Sequence, residues 1–150
     1  MIISFQRKFI FVAIPKTAGH AIRRGLRPAL DKNDWEQCGL FERKCFPVKS
    51  LASIGHGHIT CQQIQPYLLT GMWETYFTFC FVRNPYDRFV SFCFFYNREN
   101  SHMQKNPLDL MKRTFQNSQI KQQILFRPQH EFVTDSSGQL IVDYVGRFET

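Results

Sequence analysis

Lys16 and Thr17 stand in a short turn between two hydrophobic patterns of different period, where they could hold an anion. The run Lys8 to Ile14 is apolar and strand-like and stops at Pro15. Lys16, Thr17 and Ala18 follow, and Gly19 opens a helical pattern. A strand, a turn and a helix N-terminus in this order aim unpaired backbone N–H groups at one point, and the helix dipole favours negative charge there. Lys16 adds a full positive charge and Thr17 a hydroxyl. The lysine precedes the glycine, so the turn does not satisfy the G-x-x-x-x-G-K-[ST] pattern of ordinary nucleotide-binding loops. The chemistry indicated is capture of a phosphate-like group. The alternative is a plain strand-to-helix turn with a surface lysine.

A second segment has the same layout. Tyr76 to Val82 is another buried strand by pattern, and it runs into Arg83-Asn84-Pro85-Tyr86-Asp87-Arg88-Phe89-Val90-Ser91. Pro85 suits the first turn of a helix. Arg83 then sits at the carboxyl end of a strand, where open α/β sheets bind ligands. Ser91 follows two helical turns later. A guanidinium and a hydroxyl at this separation could grip a second phosphate. Asp87 and Arg88 read as a pair on the helix surface or behind the site.

With both segments in view, the chain resembles the sulfotransferases that use 3′-phosphoadenosine 5′-phosphosulfate (PAPS). Pro15-Lys16-Thr17-Ala18-Gly19 is similar to their 5′-phosphosulfate loop, and Arg83 to Ser91 is similar to their 3′-phosphate motif, with Arg and Ser equally separated. The order and distance of the two motifs also fit. The nearest group in appearance is the carbohydrate sulfotransferases that include heparan sulfate 2-O-sulfotransferase and small bacterial relatives, and Arg127 to His130 and Tyr144 to Glu149 are similar to that group as well. One departure is His20, where the family usually carries Thr or Ser; histidine is larger and titrates near neutrality. The resemblance implies PAPS as cofactor, held by Pro15, Lys16, Thr17, Ala18, Gly19, His20, Arg83 and Ser91. It also implies a hydroxyl acceptor on a carbohydrate and a fold similar to P-loop kinases, short at its carboxyl end beside many relatives.

His56-Gly57-His58 lies between the two phosphate segments. Transfer to a hydroxyl needs a base near neutral pH, and histidine fits. Gly55 and Gly57 permit a tight backbone that aims side chains into a cleft. Other readings are a satisfied loop histidine or half of a metal site, although no Cys or carboxylate stands at suggestive local spacing. The resemblance favours catalysis, because a similar His-x-His segment serves catalysis in heparan sulfate 2-O-sulfotransferase. The catalytic candidates are therefore Lys16, His58 and His56, with no metal. Trp35 and Trp73 read as stacking platforms or as packing, His130 as a surface residue or an acceptor contact, and Glu149 as structural. The rival readings are a small kinase with a degenerate loop, and a catalytically inactive, truncated relative that binds nucleotide or anionic glycan.

The elements that must position these residues read as one α/β domain over 1–150, a parallel sheet flanked by helices. The order is strand 8–14, helix 18–30, an irregular stretch 31–48, a short strand 50–54 and a helix 60–69 interrupted at Pro66. Strand 76–82 leads to helix 85–99, then a helix 107–126 that splits near Asn117, and a hairpin or loop feeds a last strand within 140–148. The chain of 150 residues has 16 Phe and 43% apolar residues, which excludes a disordered chain. Its net charge of +7, from 19 basic and 12 acidic residues, suits polyanions or a multiply charged cofactor. The small clusters Arg23-Arg24-Arg27 and Lys112-Arg113 read as solvated helix faces, so no nucleic-acid partner is expected. Five cysteines form no C-x-x-C pair and read as reduced thiols, with Cys38–Cys45 the one pair placed to bridge. The run Phe9 to Ile14 is too short to span a bilayer, so no integral membrane segment and a cytoplasmic location are expected.

Overall fold

In the computed structural model the described residues are 1–37, 46–52, 54, 56–99 and 105–150. Among them, β1 (Ile2–Ser4), β2 (Phe9–Val12), β3 (Trp35–Glu36), β4 (Phe77–Val82) and β5 (Tyr144–Arg147) form one sheet in the order β3-β1-β2-β4-β5. The parallel core expected from the sequence is β2-β4-β5. β1 and β3 extend it with antiparallel pairings, so the sheet is mixed. No strand was expected before Lys8. Here Ile2 pairs with Phe11 and Ser4 with Phe9, and Lys8, at φ 52°, belongs to the turn between β1 and β2.

Alternation along β2 separates two cores. Phe9, Phe11 and Ala13 face α1 (Gly19–Leu26), where Ile22 and Leu26 cover them. Ile10, Val12 and Ile14 face the other layer, with Ile59, Ile64, Cys80 and Phe132. The expected strand 50–54 is instead a turn of helix, α2 (Lys49–Ala52), in which the N–H groups of Leu51 and Ala52 both donate to the Val48 carbonyl. That bonding inserts Leu51 into the core without any strand partner. The interruption at Pro66 is seen as α3 (Cys61–Ile64), with its Thr60/Gln63 capping box, followed by a 3-10 turn. α4 (Met72–Thr75) precedes β4, and α5 (Pro85–Tyr96) follows it. The split at Asn117 is also present: one helix ends at Gln116, and Asn117 caps the next through its side chain.

Two of the three arginines read as a solvated face are engaged. Arg27 pairs with Glu36, which is 1% exposed, at 3.1 Å, and Arg23 is buried. Cys61, Cys80 and Cys93 are free and buried, and burial raises their thiol pKa values, that of Cys80 to about 12. Cys38 and Cys45 lie outside the described residues, as do Gly55 and His102. Among the described residues no helix is long and apolar enough to cross a membrane.

β5 meets β4 closely at Gly146, where an added Cβ would stand 2.5 Å from the Phe81 ring and 3.1 Å from that of Tyr144. Gly146→Ala is expected to lower stability by about 1–3 kcal/mol through overpacking, measured by thermal or denaturant unfolding. Phe81→Leu in the same chain removes the clashing ring and should recover part of the loss, because the two positions are coupled.

Candidate functional site

β2 runs out through Ala13 and Ile14 into the turn Pro15–Ala18. Lys16 and Ala18 both adopt positive φ, 65° and 62°, a left-handed backbone that costs of order 1–3 kcal/mol at a non-glycine residue. Ala18 is the N-cap of α1, makes no side-chain cap bond, and no acidic residue follows in the first turn. The leading N–H groups of α1 are thus left for an anion. Thr17 is buried, and its hydroxyl donates to the Ile14 carbonyl at 3.0 Å. It braces the turn from inside instead of offering its proton to a ligand.

A cavity of about 360 Å³ opens at the carboxyl ends of β2 and β4. Lys16, Ala18, Gly19 and His20 reach it from the turn, Arg83 and Ser91 from the β4–α5 junction, and His58 from the segment before α3. Pro15 and Thr17 are buried and are not among its described lining residues. The side chains of Lys16, Arg23 and Arg83 supply positive charge, and no carboxylate is among the described lining residues. The Lys16 Nζ sits 4.2 Å from the centre of the Phe95 ring. Burial, then the charges of Arg83 and Arg98, hold its pKa below the usual lysine value. The Arg83 guanidinium stacks 4.4 Å from the Phe148 ring centre, and its Nε is buried without a hydrogen-bond partner. Gln129 fixes the Arg83 backbone from both sides, accepting from its N–H at 3.0 Å and donating to its carbonyl at 2.8 Å.

The motif spacing, the uncapped helix end and the positive side chains of the cavity all suit a sulfonate or phosphate donor, and a model of the sulfotransferase family matches residues 1–150. The chain belongs to the sulfotransferase family. No curated protein matches it, and no solved structure does. Family membership supports sulfuryl transfer as the chemistry of this chain.

In this sulfotransferase the two histidines face different spaces. His58 lines the cavity that holds Lys16, whereas His56 lines a neighbouring open cavity of about 720 Å³. Their rings stack with centroids 6.1 Å apart. The His58 Nδ1 lies 2.8 Å from the Ala13 carbonyl oxygen. A carbonyl only accepts, so Nδ1 carries the proton and a neutral His58 presents the free lone pair of Nε2. The backbone N–H of His58 donates to the His56 Nδ1 at 3.2 Å, so a neutral His56 presents Nε2–H. One ring is an acceptor outward and the other a donor.

Sequence reasoning missed four side chains. Arg23 lies one turn beyond Gly19 on α1 and donates to the carbonyls of Gln37 and Gly57, the latter at 2.8 Å. Arg88, read as a surface or supporting residue, is buried and bonds only carbonyls. Phe95 is one turn beyond Ser91, which is the helical spacing that could have found it, and Phe148 lies in the Tyr144 to Glu149 stretch, whose likeness to the family gave that residue no role. Trp35 packs on Phe5 and Phe46, and Trp73 donates to the Ile141 carbonyl. Glu149 accepts from the Asn84 N–H at the start of α5. His130 is exposed in a 3-10 turn.

Burial pushes the His58 pKa down to about 3, against the Ala13 carbonyl bond that raises it, with the charges of the terminal ammonium, Arg23 and His56 adding to the fall. The folded value lies below the ordinary 6.5, so between those limits the unfolded chain binds more protons. Stability contributed by neutral His58 is therefore present above pH 6.5 and lost as the pH falls through that window. His58→Gln retains a donor for Ala13 and does not titrate. Its melting temperature should fall less between pH 7 and pH 5 than that of the wild type, by on the order of 2–4 °C. Identical pH dependence in thermal melts would exclude this environment for His58.

Proposed function

We propose that residues 1–150 act as one sulfotransferase domain that takes a sulfuryl group from PAPS and transfers it to a carbohydrate hydroxyl, with His58 as base. The observation that carries this reading is the Arg83 Nε, buried and unpartnered beside a cavity with no carboxylate among its described lining residues. An unmade hydrogen bond on a buried guanidinium nitrogen is costly, and a phosphate oxygen is the kind of acceptor that satisfies it. The uncapped N-terminus of α1 offers a second anion grip in the same cavity. PAPS has an anionic group at each of two ends, which suits two grips carried on neighbouring parallel strands.

In this reading PAPS supplies the sulfuryl group and leaves as adenosine 3′,5′-bisphosphate. The backbone N–H groups from Lys16 to His20 hold its 5′ end, with Pro15 shaping the turn before them and His20 reaching in from the rim. Arg83 and Ser91 hold the 3′-phosphate and so favour PAPS over nucleotides that lack it. Lys16, held on an aromatic face and not on a carboxylate, keeps its charge for the oxygen that becomes negative. The His58 Nε2 takes the proton of the acceptor hydroxyl, and the His56 Nε2–H orients the acceptor from the adjoining space. That space is lined by Lys121, Gln122, Gln123, Arg127 and Glu131 beside His56, donors and acceptors that suit a polyhydroxylated ligand. An anion in the cavity offsets the cost of charging His58, so its basicity rises as the site fills.

Calorimetric titration tests the two-grip arrangement. Adenosine 3′,5′-bisphosphate is expected to bind more tightly than AMP by about 1.5–3 kcal/mol, the scale of hydrogen bonds to charged groups. Arg83→Ala should erase most of that difference. Equal affinities in the wild type would remove the 3′-phosphate assignment.

Transfer assays across a panel of sugar acceptors test the base. His58→Ala is expected to lose about 10²–10⁴ in rate while its affinity for the bisphosphate is kept. The acid limb of kcat/KM, which reports the free protein, should lie below pH 6.5, and that of kcat should lie higher because the bound anion raises the His58 pKa. A His58→Ala variant with full activity would place the base elsewhere. A wild type that binds the bisphosphate yet transfers to no acceptor would mark a binding protein.

A further inference from the structure

Arg88 occupies a position that the motif reading leaves idle. It is 8% exposed, and burial lowers its pKa to about 10. Its three bonds all end on backbone carbonyls: Nε to Pro15 at 3.0 Å, Nη1 to Arg127 at 3.0 Å and Nη2 to Leu125 at 2.9 Å. The side chain leaves α5 between Arg83 and Ser91 and reaches the residue that immediately precedes Lys16. It also reaches the segment from which Gln129 clamps the Arg83 backbone. A buried guanidinium is costly to desolvate and is more often answered by a carboxylate. Here the planar fork fits three separate carbonyls, so its geometry ties three chain segments together instead of neutralising a charge.

We propose that Arg88 is a positioning residue that sets the separation between the turn at Lys16 and the grip of Arg83 and Ser91, and thereby the selection of a ligand with two anionic ends. This inference rests on the two-grip reading above. A ligand with one phosphate can settle into a single grip whatever the spacing. A bisphosphate of fixed length must reach both, so a shift of one grip relative to the other weakens its hydrogen bonds to charged groups. Arg88 therefore acts on the ratio of the two affinities more than on either alone. Lysine keeps the charge, but its ammonium cannot reproduce the planar three-carbonyl fork.

The test compares adenosine 3′,5′-bisphosphate with AMP by calorimetry, on wild type, Arg88→Lys and Gln129→Ala, with thermal melts of each. The wild type should prefer the bisphosphate, and Arg88→Lys should reduce that preference about tenfold while AMP affinity changes by less. Gln129→Ala loosens the Arg83 end without emptying a buried charge site, and should also reduce the ratio; it supplies the answer if Arg88→Lys does not fold. Overturning results are a lowered melting temperature with the ratio unchanged in Arg88→Lys, which makes Arg88 a strut for folding only, or, where that variant is unfolded, an unchanged ratio in Gln129→Ala. A wild type without any preference overturns the cofactor reading itself and this inference with it, an outcome visible before any variant is measured.

Discussion

Lys16, Arg23 and Arg83 are held around one small cavity with no carboxylate among its described lining residues, and like charges at close range in a poorly solvated space repel. The fold has to supply what water and counter-ions would otherwise provide. It does so with groups that stabilise a cation without cancelling it. The Phe95 ring lies under Lys16, and the Phe148 ring lies against Arg83; cation–π contacts of this kind contribute about 0.5–2 kcal/mol. Carbonyls of Gln37 and Gly57 receive Arg23. A carboxylate beside Lys16 or Arg83 would stabilise the free protein more, but an entering anion would then have to displace it.

The sheet makes this concentration of charge possible. β2 and β4 are adjacent and parallel, with Val12 opposite Cys80, so both chains leave the sheet at the same edge and each turns into a helix there. The turn after β2 is bent by two left-handed non-glycine residues, a strain sustained because the Thr17 hydroxyl and the Arg88 guanidinium bond the carbonyls of Ile14 and Pro15. The antiparallel β1 on the other side of β2 contributes no site residue. Its part is to bury Ile2 and Ile3 and so hold β2 from behind.

The sequence displayed what is local and concealed what is made by folding. The spacing of Lys16 before Gly19, and of Arg83 before Ser91, was legible because each pair belongs to one strand–helix junction. The helices that break at Pro66 and Asn117 were legible because proline and an asparagine cap act on their own neighbours. Arg23 was read as part of a solvated face, and Arg88 as a surface or supporting residue, because a buried arginine looks the same as a solvated one until its carbonyl partners, up to 73 residues away, are in place. β1 and β3 are three and two residues long, too short for an alternating pattern. The apolar stretch around Leu51 suggested a strand because burial alone does not distinguish a strand from one helical turn.

The histidine pair shows how far backbone contacts define chemistry. Two identical side chains, separated by one glycine, become different reagents because one ring nitrogen meets a carbonyl and the other meets an N–H. The carbonyl belongs to Ala13, the first residue after β2, so the strand that carries Lys16 also fixes the tautomer of His58. The N–H belongs to His58 itself, so His56 takes its orientation from the residue it would assist. Arg23 closes the arrangement by bonding the Gly57 carbonyl between them, which ties the histidine segment to the helix whose N-terminus faces the cavity. A displacement of α1 would therefore be felt at both histidines, and the two functions proposed for this site, holding an anion and accepting a proton, share one mechanical support.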